Sequence, residues 1–167
     1  MPQFLEEFKR FHEVASEFCT AVDSAQSTDR ETLVLRIYRL LPLLIGRAVN
    51  LSPIESSDDQ TDHKKARISQ EQWGELYSLL KEKLGDWDLY SQVFDPTKDR
   101  DAIYGSLADD IADIYRDLKE GLDLHSSDIV SSNDILWEWR FGFYSHWGHH
   151  AINALRTIHF LLGPTLS

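Results

Sequence analysis

The apolar residues of this chain recur every three or four positions, and this spacing restricts the fold more than any other feature. The first series consists of Phe4, Phe8, Phe11, Phe18 and Val22. Steps of three, four and seven place side chains on one face of an α-helix. We therefore predict an amphipathic helix over residues 3–24.

A second helix is predicted to follow at once. Thr28 and Glu31 have the spacing of a capping box, and a leucine-rich segment continues from there to about Val49. More than half of the helix circumference is apolar, so we expect this helix to be central. Pro42 predicts a kink or a break, because proline removes a backbone donor and crowds the preceding turn.

The next segments predict an acidic loop and a third helix. Residues 52–66 contain a proline, several acids and few apolar side chains, which favours a flexible, solvated loop. Ser69 and Gln72 then form a second capping box, and the apolar spacing continues to Leu84. Gly85 is the expected left-handed C-terminal cap.

The second half of the chain predicts an aromatic loop and two more helices. Residues 86–98 should form an ordered loop docked by its aromatic side chains, Trp87, Tyr90 and Phe94. A fourth helix is expected from about Asp99 to Glu120, closed by Gly121, and a fifth from about Asn133 to Leu162. At 1.5 Å per residue, the fifth helix would be about 45 Å long.

No internal repeat and no strand-like alternation is evident in the sequence. We therefore predict an all-α fold, a single-domain bundle of about five helices over residues 1–167, with a long C-terminal helix. The formal net charge of −11 argues against nucleic acid and anionic membranes as partners. A lone cysteine in an apolar repeat, Cys19, and the lack of a long apolar run favour a cytoplasmic protein.

Histidines on the predicted fifth helix are the first candidate for a site. At 100° per residue, His146 and His150 fall on the same apolar face as Trp139 and Phe143, while His149 lies just to one side. Burying an imidazole without a hydrogen bond costs a few kcal/mol. These imidazoles must therefore form hydrogen bonds, stay neutral or bind a ligand.

Three acids on the predicted fourth helix are the candidate partners. Asp110, Asp113 and Asp117 form one stripe at the border of its apolar face. Such a stripe can be a solvated edge, part of a buried Asp-His network, or a metal site with His146, His150, Asp113 and Asp117 as ligands to a divalent ion. The Glu-x-x-His pairs of di-iron bundles are absent from the sequence.

Aromatic residues near these positions allow two interpretations. Core packing is the simpler one, and a pocket for an organic ligand is the other. The residues concerned are Tyr104, Tyr115, Trp137, Trp139 and Trp147. Three other histidines lack a second candidate ligand in their sequence context, and we expect them to be solvated: His12, His63 and His125. His159 turns away from the cluster, and we expect it at the surface or in contact with a partner.

Two segments identify a family. The residues Leu-Ala-Asp-Asp-Ile-Ala-Asp-Ile-Tyr-Arg-Asp-Leu-Lys at 107–119, and Phe-x-x-His-Trp-Gly-x-His at 143–150, resemble bacterial helical proteins known only as a domain of unknown function, numbered 5063. The resemblance implies an all-helical fold, and it implies no activity or cofactor. Its characteristic segments contain Asp110, Asp113, Tyr115, Asp117, His146, Trp147 and His149.

Three functional hypotheses remain open at this point. The first is a non-enzymatic binding or adaptor protein whose acidic surface or aromatic groove contacts another protein or a second copy of the chain. The second is a metal-dependent, hydrolase-like enzyme. The third gives the Asp-His-Tyr-Trp cluster a structural role only. A phosphate-binding glycine loop and a Gly-x-Ser-x-Gly motif are both missing from the sequence.

Overall fold

The computed structural model describes residues 3–53, 55, 68–127 and 130–166. Its helices are α1 (Gln3–Asp23), α2 (Arg30–Val49), α3 (Gln70–Leu84), α4 (Leu107–Ser126), α5 (Ser132–Ser145) and α6 (Trp147–Leu166), and its strands are β1 (Leu89–Gln92) and β2 (Ile103–Ser106). The predicted all-α class is confirmed, since the two short strands form the one sheet of the described residues. Most of the predicted loop at 52–66 lies outside the described residues, and so does His63.

The first three helices follow their predictions closely. In α2 the N-terminal cap is Asp29, which accepts a hydrogen bond from the Thr32 amide, so the expected Thr28 cap was one residue early. The same helix continues through Pro42 to Val49, and the predicted break does not occur. The capping box at the start of α3 is confirmed, and Gly85 ends that helix with φ of 57°.

A β-hairpin replaces the predicted aromatic loop. Strands β1 and β2 pair antiparallel, with Leu89 opposite Ser106 and Tyr90 opposite Gly105. A Cβ atom on Gly105 would lie 2.4 Å from the Tyr90 ring, so glycine gives this tyrosine its space. The hairpin was missed because each strand has only four residues, too few for a clear alternation.

Helix α4 begins later and ends later than predicted. Residues 103–106 belong to β2, and Ser106 caps the helix by accepting a hydrogen bond from the Asp109 amide. Buried Asp88 adds a second acceptor, for the amide of Ala108. Gly121 lies inside the helix and does not end it, because it makes room for Trp139, whose indole nitrogen would be 2.4 Å from an added Cβ.

The predicted long C-terminal helix is wrong, since the chain breaks it at His146. That residue has φ of −148° and ψ of −83°, far from helical values, and it separates α5 from α6. The two helices then pack against each other. Gly148 permits the close approach, because a Cβ there would lie 2.1 Å from the carbonyl oxygen of Phe143.

Helix α4 occupies the centre of the bundle and contacts α1, α3, α5 and α6. We had expected α2 to be central, but α2 packs mainly on α1 and α6. The largest fully buried side chains include Trp139, Trp147, Phe11 and Phe18. Cys19 is also buried, and burial raises the pKa of its thiol. The polar edge of α4 that faces α6 carries the candidate site.

Candidate metal centre

The three acids of the predicted stripe all face the histidines of the helix break. Their spacing of three and four keeps them on one side of α4. Asp110 and Asp113 are buried, and Asp117 is partly buried. Each of the three carboxylates lies within 4 Å of at least one imidazole nitrogen. The alternative of a solvated edge therefore does not hold for this stripe.

His150 is held by a buried carboxylate. Its Nδ1 atom lies 2.7 Å from Oδ1 of Asp110. The other oxygen of Asp110 accepts a hydrogen bond of 2.6 Å from the hydroxyl of Tyr90 on β1. The hairpin thus fixes the carboxylate, and the carboxylate fixes the imidazole.

His146 is held in the same way by a second carboxylate. Its Nδ1 atom lies 2.7 Å from Oδ2 of Asp117, about two turns beyond Asp110 along α4. The helix break gives this histidine its position, because its backbone caps α5 by donating to the carbonyl of Gly142. An ionised carboxylate can only accept hydrogen bonds, so in both pairs the proton is assigned to Nδ1.

The free nitrogens of both rings converge on Asp113. Nε2 of His150 lies 3.4 Å from Oδ2 of Asp113, and Nε2 of His146 lies 3.8 Å from the same oxygen. The other oxygen, Oδ1, accepts hydrogen bonds from the Trp73 indole at 2.9 Å and from Arg116 at 2.6 Å. The outer oxygen is therefore occupied, and the inner one faces the two imidazoles.

These distances bring one candidate ligand atom from each of Asp113, His146 and His150 within 4.8 Å of one another. A second group in the described part of the chain, Asp109, Asp110 and His150, meets the same distance limit. It shares His150 with the first group, and Asp110 is already bonded to that ring. The first group is thus the better candidate for an ion.

Burial and charge act against each other in this cluster. Burial raises the pKa of Asp110 and of Asp117, although the hydrogen bond from each partner histidine opposes the rise. Burial alone would lower the pKa of His150, but the hydrogen bond to Asp110 and the charges of the nearby carboxylates outweigh it, so this pKa is raised. Burial, with smaller contributions from His150 and His146, lowers the pKa of His149.

His149 lies beside the cluster without joining it. Its ring centroid is 4.2 Å from that of His150 and 6.3 Å from that of Phe94, which follows β1. It lines the cavities between the hairpin and α6. This histidine faces the space next to the candidate centre.

The predicted aromatic residues do not share one pocket. Tyr115 donates a hydrogen bond to Asp23 on α1, away from the histidines, and Tyr104 is 82% exposed on the hairpin. Trp137 stacks on Phe141 of the same helix. Trp139 and Trp147 are buried, and their indole nitrogens donate to the backbone carbonyls of Leu118 and Trp139. These two tryptophans pack the core behind the cluster.

Sequence reasoning missed two residues of the site. Tyr90 and Trp73 contact Asp110 and Asp113, from which they are separated by 20 and 40 positions. The pairing of Tyr90 with Gly105 across the hairpin could have indicated the role of Tyr90, but this pairing is evident only once the strands are known. The helical spacing around Trp73 predicts core packing and carries no signal for its hydrogen bond.

Cavities adjoin the cluster on both sides. One of about 350 Å³ lies between α4 and α5 and is lined by Asp117 and His146. Another of about 350 Å³ lies under the hairpin and is lined by Asp109 and His150. Each of the two candidate histidine ligands therefore lines a cavity, His146 on one side of the cluster and His150 on the other.

The sequence matches the family described as Domain of unknown function (DUF5063) over residues 2–163. The chain belongs to this family. The DUF5063 chain is similar to the crystal structure of protein BF1032 from Bacteroides fragilis, with a TM-score of 0.77 and 27% sequence identity. The similarity covers 91% of this chain and 89% of that one. No curated protein matches the sequence significantly.

These comparisons confirm the predicted family and support the helical fold. They bring no activity, ligand or site residue with them. None of the helices in the described residues of the DUF5063 chain combines the length and the hydropathy that a membrane span requires. A functional conclusion must therefore rest on the geometry of the cluster.

Proposed function

We propose that this protein is a metal-dependent enzyme of the hydrolase type. Oδ2 of Asp113, Nε2 of His146 and Nε2 of His150 would bind one divalent ion. The observation that carries the proposal is the state of the two imidazoles: each has its Nδ1 atom on a carboxylate and its Nε2 atom directed at the same oxygen. Histidines that bind metals have this second contact, which fixes their tautomer and orientation.

A hydrolytic role follows from the number of protein ligands. Two histidines and one carboxylate occupy three positions around an ion, and catalytic zinc sites with this composition keep another position for water. An ion held by these three residues would act as a Lewis acid and would lower the pKa of a coordinated water to about 7. Iron(II) and manganese(II) accept the same donor atoms, so we propose a divalent transition metal with zinc as the first candidate.

The binding or adaptor hypothesis ranks second. It is supported by the net charge of −11, which favours basic partners, and by no particular contact in the structure. A protein partner or a homo-oligomer remains a prediction. The metal hypothesis has specific atoms and distances behind it, and we therefore prefer it.

Elemental analysis tests the metal site directly. Untagged protein purified without chelator should contain near-stoichiometric zinc, iron or manganese, and the variant His146→Ala/His150→Ala should contain almost none. The matched control is His125→Ala/His159→Ala, which removes two exposed histidines and should retain the metal. Metal absent from the wild type, even after incubation with each ion, would refute the proposal.

Cobalt(II) substitution tests the open position. Cobalt bound in place of the native ion should give visible d–d absorption bands, and added azide should shift them if a position is open to small ligands. Bands that azide leaves unchanged would indicate a closed, structural site. That result would exclude the enzymatic role and retain the metal.

A further inference from the structure

A groove leads away from the candidate metal centre between the hairpin and α6. It consists of two adjoining cavities, of about 350 and about 540 Å³, which share four lining residues: Gln92, Phe94, His149 and Asn153. The first cavity reaches His150, and the second reaches Arg156. The groove therefore runs from His150, one of the three candidate metal ligands, to the positive charge of Arg156.

The sides of this groove are apolar and open to solvent. Phe94 is 70% exposed and Ile152 is 54% exposed, and both line the second cavity. A contiguous patch of exposed apolar side chains often marks a binding site. On its floor, Asn153 donates a hydrogen bond of 2.6 Å to Gln92, so these two amides already satisfy part of each other's hydrogen-bonding capacity.

Arg156 provides the charge at the far end. It follows His149 by seven residues, so the two lie within about 20° on one face of α6 and about 10 Å apart along its axis. Its guanidinium lies 5.6 Å above the ring of Phe160. Stacking uses the face of a guanidinium and leaves the N–H donors at its edge available to a carboxylate.

We propose that this groove binds organic carboxylates with an apolar body. The carboxylate would pair with Arg156, the apolar body would lie against Phe94 and Ile152, and the opposite end would reach the metal bound by His150. The inference deepens the proposed function and rests on it, because it names the substrate class of the same site.

Bifunctional probes test the inference. The monohydroxamates of dicarboxylic acids, from succinic to suberic, have a metal-binding group at one end and a carboxylate at the other. Calorimetric titration of the zinc-loaded protein should show that at least one chain length binds about tenfold more tightly than the same hydroxamate ending in a primary amide. Arg156→Gln should abolish this preference, and Arg39→Gln, which changes another exposed arginine, should retain it.

The outcomes separate the two proposals. If the hydroxamates bind but the carboxylate and amide probes bind equally at every length, the metal centre stands and the carboxylate groove is refuted. A preference that survives in Arg156→Gln also refutes it. If the wild type takes up no zinc, the proposed function fails, and octanoate is compared with octanamide on the metal-free protein. Preferential binding of octanoate that Arg156→Gln abolishes would support the groove, and equal or undetectable binding would overturn it.

Discussion

Two pairs of histidines in this molecule have almost the same geometry and opposite surroundings. The rings of His146 and His150 are 5.2 Å apart at 68°, and those of His12 and His125 are 5.0 Å apart at 72°. We refer to them as the acid-bound pair and the aromatic pair. Both pairs are T-shaped, so the arrangement of the rings does not by itself distinguish a metal site.

The neighbours of each pair make the difference. Three aspartates contact the acid-bound pair, whereas the aromatic pair contacts Phe8 and Trp139. In the first environment, the pKa of His150 is raised. In the second, burial and the charge of His125 lower the pKa of His12, against a small opposing contribution from Glu13. A carboxylate shell therefore decides whether such a pair attracts a cation.

The largest expected effect comes from removing the glycine that positions the acid-bound pair. Gly148→Ala should lower the free energy of unfolding by about 3 kcal/mol, because the new Cβ would lie against the carbonyl oxygen of Phe143. It should also weaken zinc binding by moving His150 relative to His146. Urea unfolding and zinc titration measure both changes.

The control for this variant is Gly46→Ala in α2. A Cβ there meets nothing within 4 Å, so stability should be unchanged or increased by up to about 1 kcal/mol. Equal stability of the two variants would show that the helix break tolerates a side chain at residue 148. The tight approach would then not be needed to form the acid-bound pair.

The second effect concerns the carboxylate shell. Asp110→Asn should weaken zinc binding by about 10- to 100-fold, the usual loss when an outer carboxylate no longer supports a metal-binding histidine. Competition with a chromophoric chelator measures the affinity. Asp123→Asn, on the same helix but paired with Lys119, should bind zinc like the wild type. Equal zinc affinity for both variants would show that the carboxylate shell does not decide which histidine pair binds a cation.

A smaller effect is the pH dependence of the metal-free, acid-bound pair. The pKa of His150 is raised in the folded state, so its stabilising contribution is complete below about pH 6.5 and is lost as pH rises through the raised pKa. Between about pH 6 and pH 8, the wild type should lose more stability than His150→Gln. The titratable groups that face this ring are retained in the variant: Asp109, Asp110, Asp113, His146 and His149. A steeper loss in the variant would reverse the assigned sign.

The smallest effect has the opposite sign and belongs to the aromatic pair. Since the pKa of His12 is lowered on folding, its neutral form stabilises the fold above about pH 6.5, and this contribution is lost as pH falls. Between about pH 7 and pH 5, the free energy of unfolding should fall further in the wild type than in His12→Gln. The difference should be less than about 1 kcal/mol, because solvent screens a half-exposed ring. Denaturant melts at several pH values measure this difference. An equal pH dependence of the unfolding free energy in the two proteins would contradict the assignment.

Much of the helical framework was predictable because its signals are local. The capping residues of α3 and the stripe of Asp110, Asp113 and Asp117 depend on spacings of three and four. The sequence also predicted that these acids could contact His146 and His150, but part of the reasoning was wrong. We had assumed one continuous helix, whereas the two histidines face α4 because α5 ends and α6 begins against it.

The rest depended on contacts that local patterns do not encode. Tyr90 reaches Asp110 through a hairpin of four-residue strands, and Trp73 reaches Asp113 from another helix. The break at His146 depends on Gly148 and on the packing of Trp147 behind it, which the apolar spacing of residues 139–154 does not reveal. Pairing between His12 and His125 joins α1 to α4, and so it was missed in the same way.

The one cysteine of the chain gives it a built-in reporter of unfolding. Cys19 is buried in α1, and the raised pKa keeps it as the unreactive thiol while the core is closed. A thiol reagent would label only molecules in which unfolding has exposed Cys19, so the labelling rate would report unfolding. An ion bound as proposed would stabilise the folded state and lower the fraction of opened molecules, so labelling of Cys19 would also report occupancy of the proposed site.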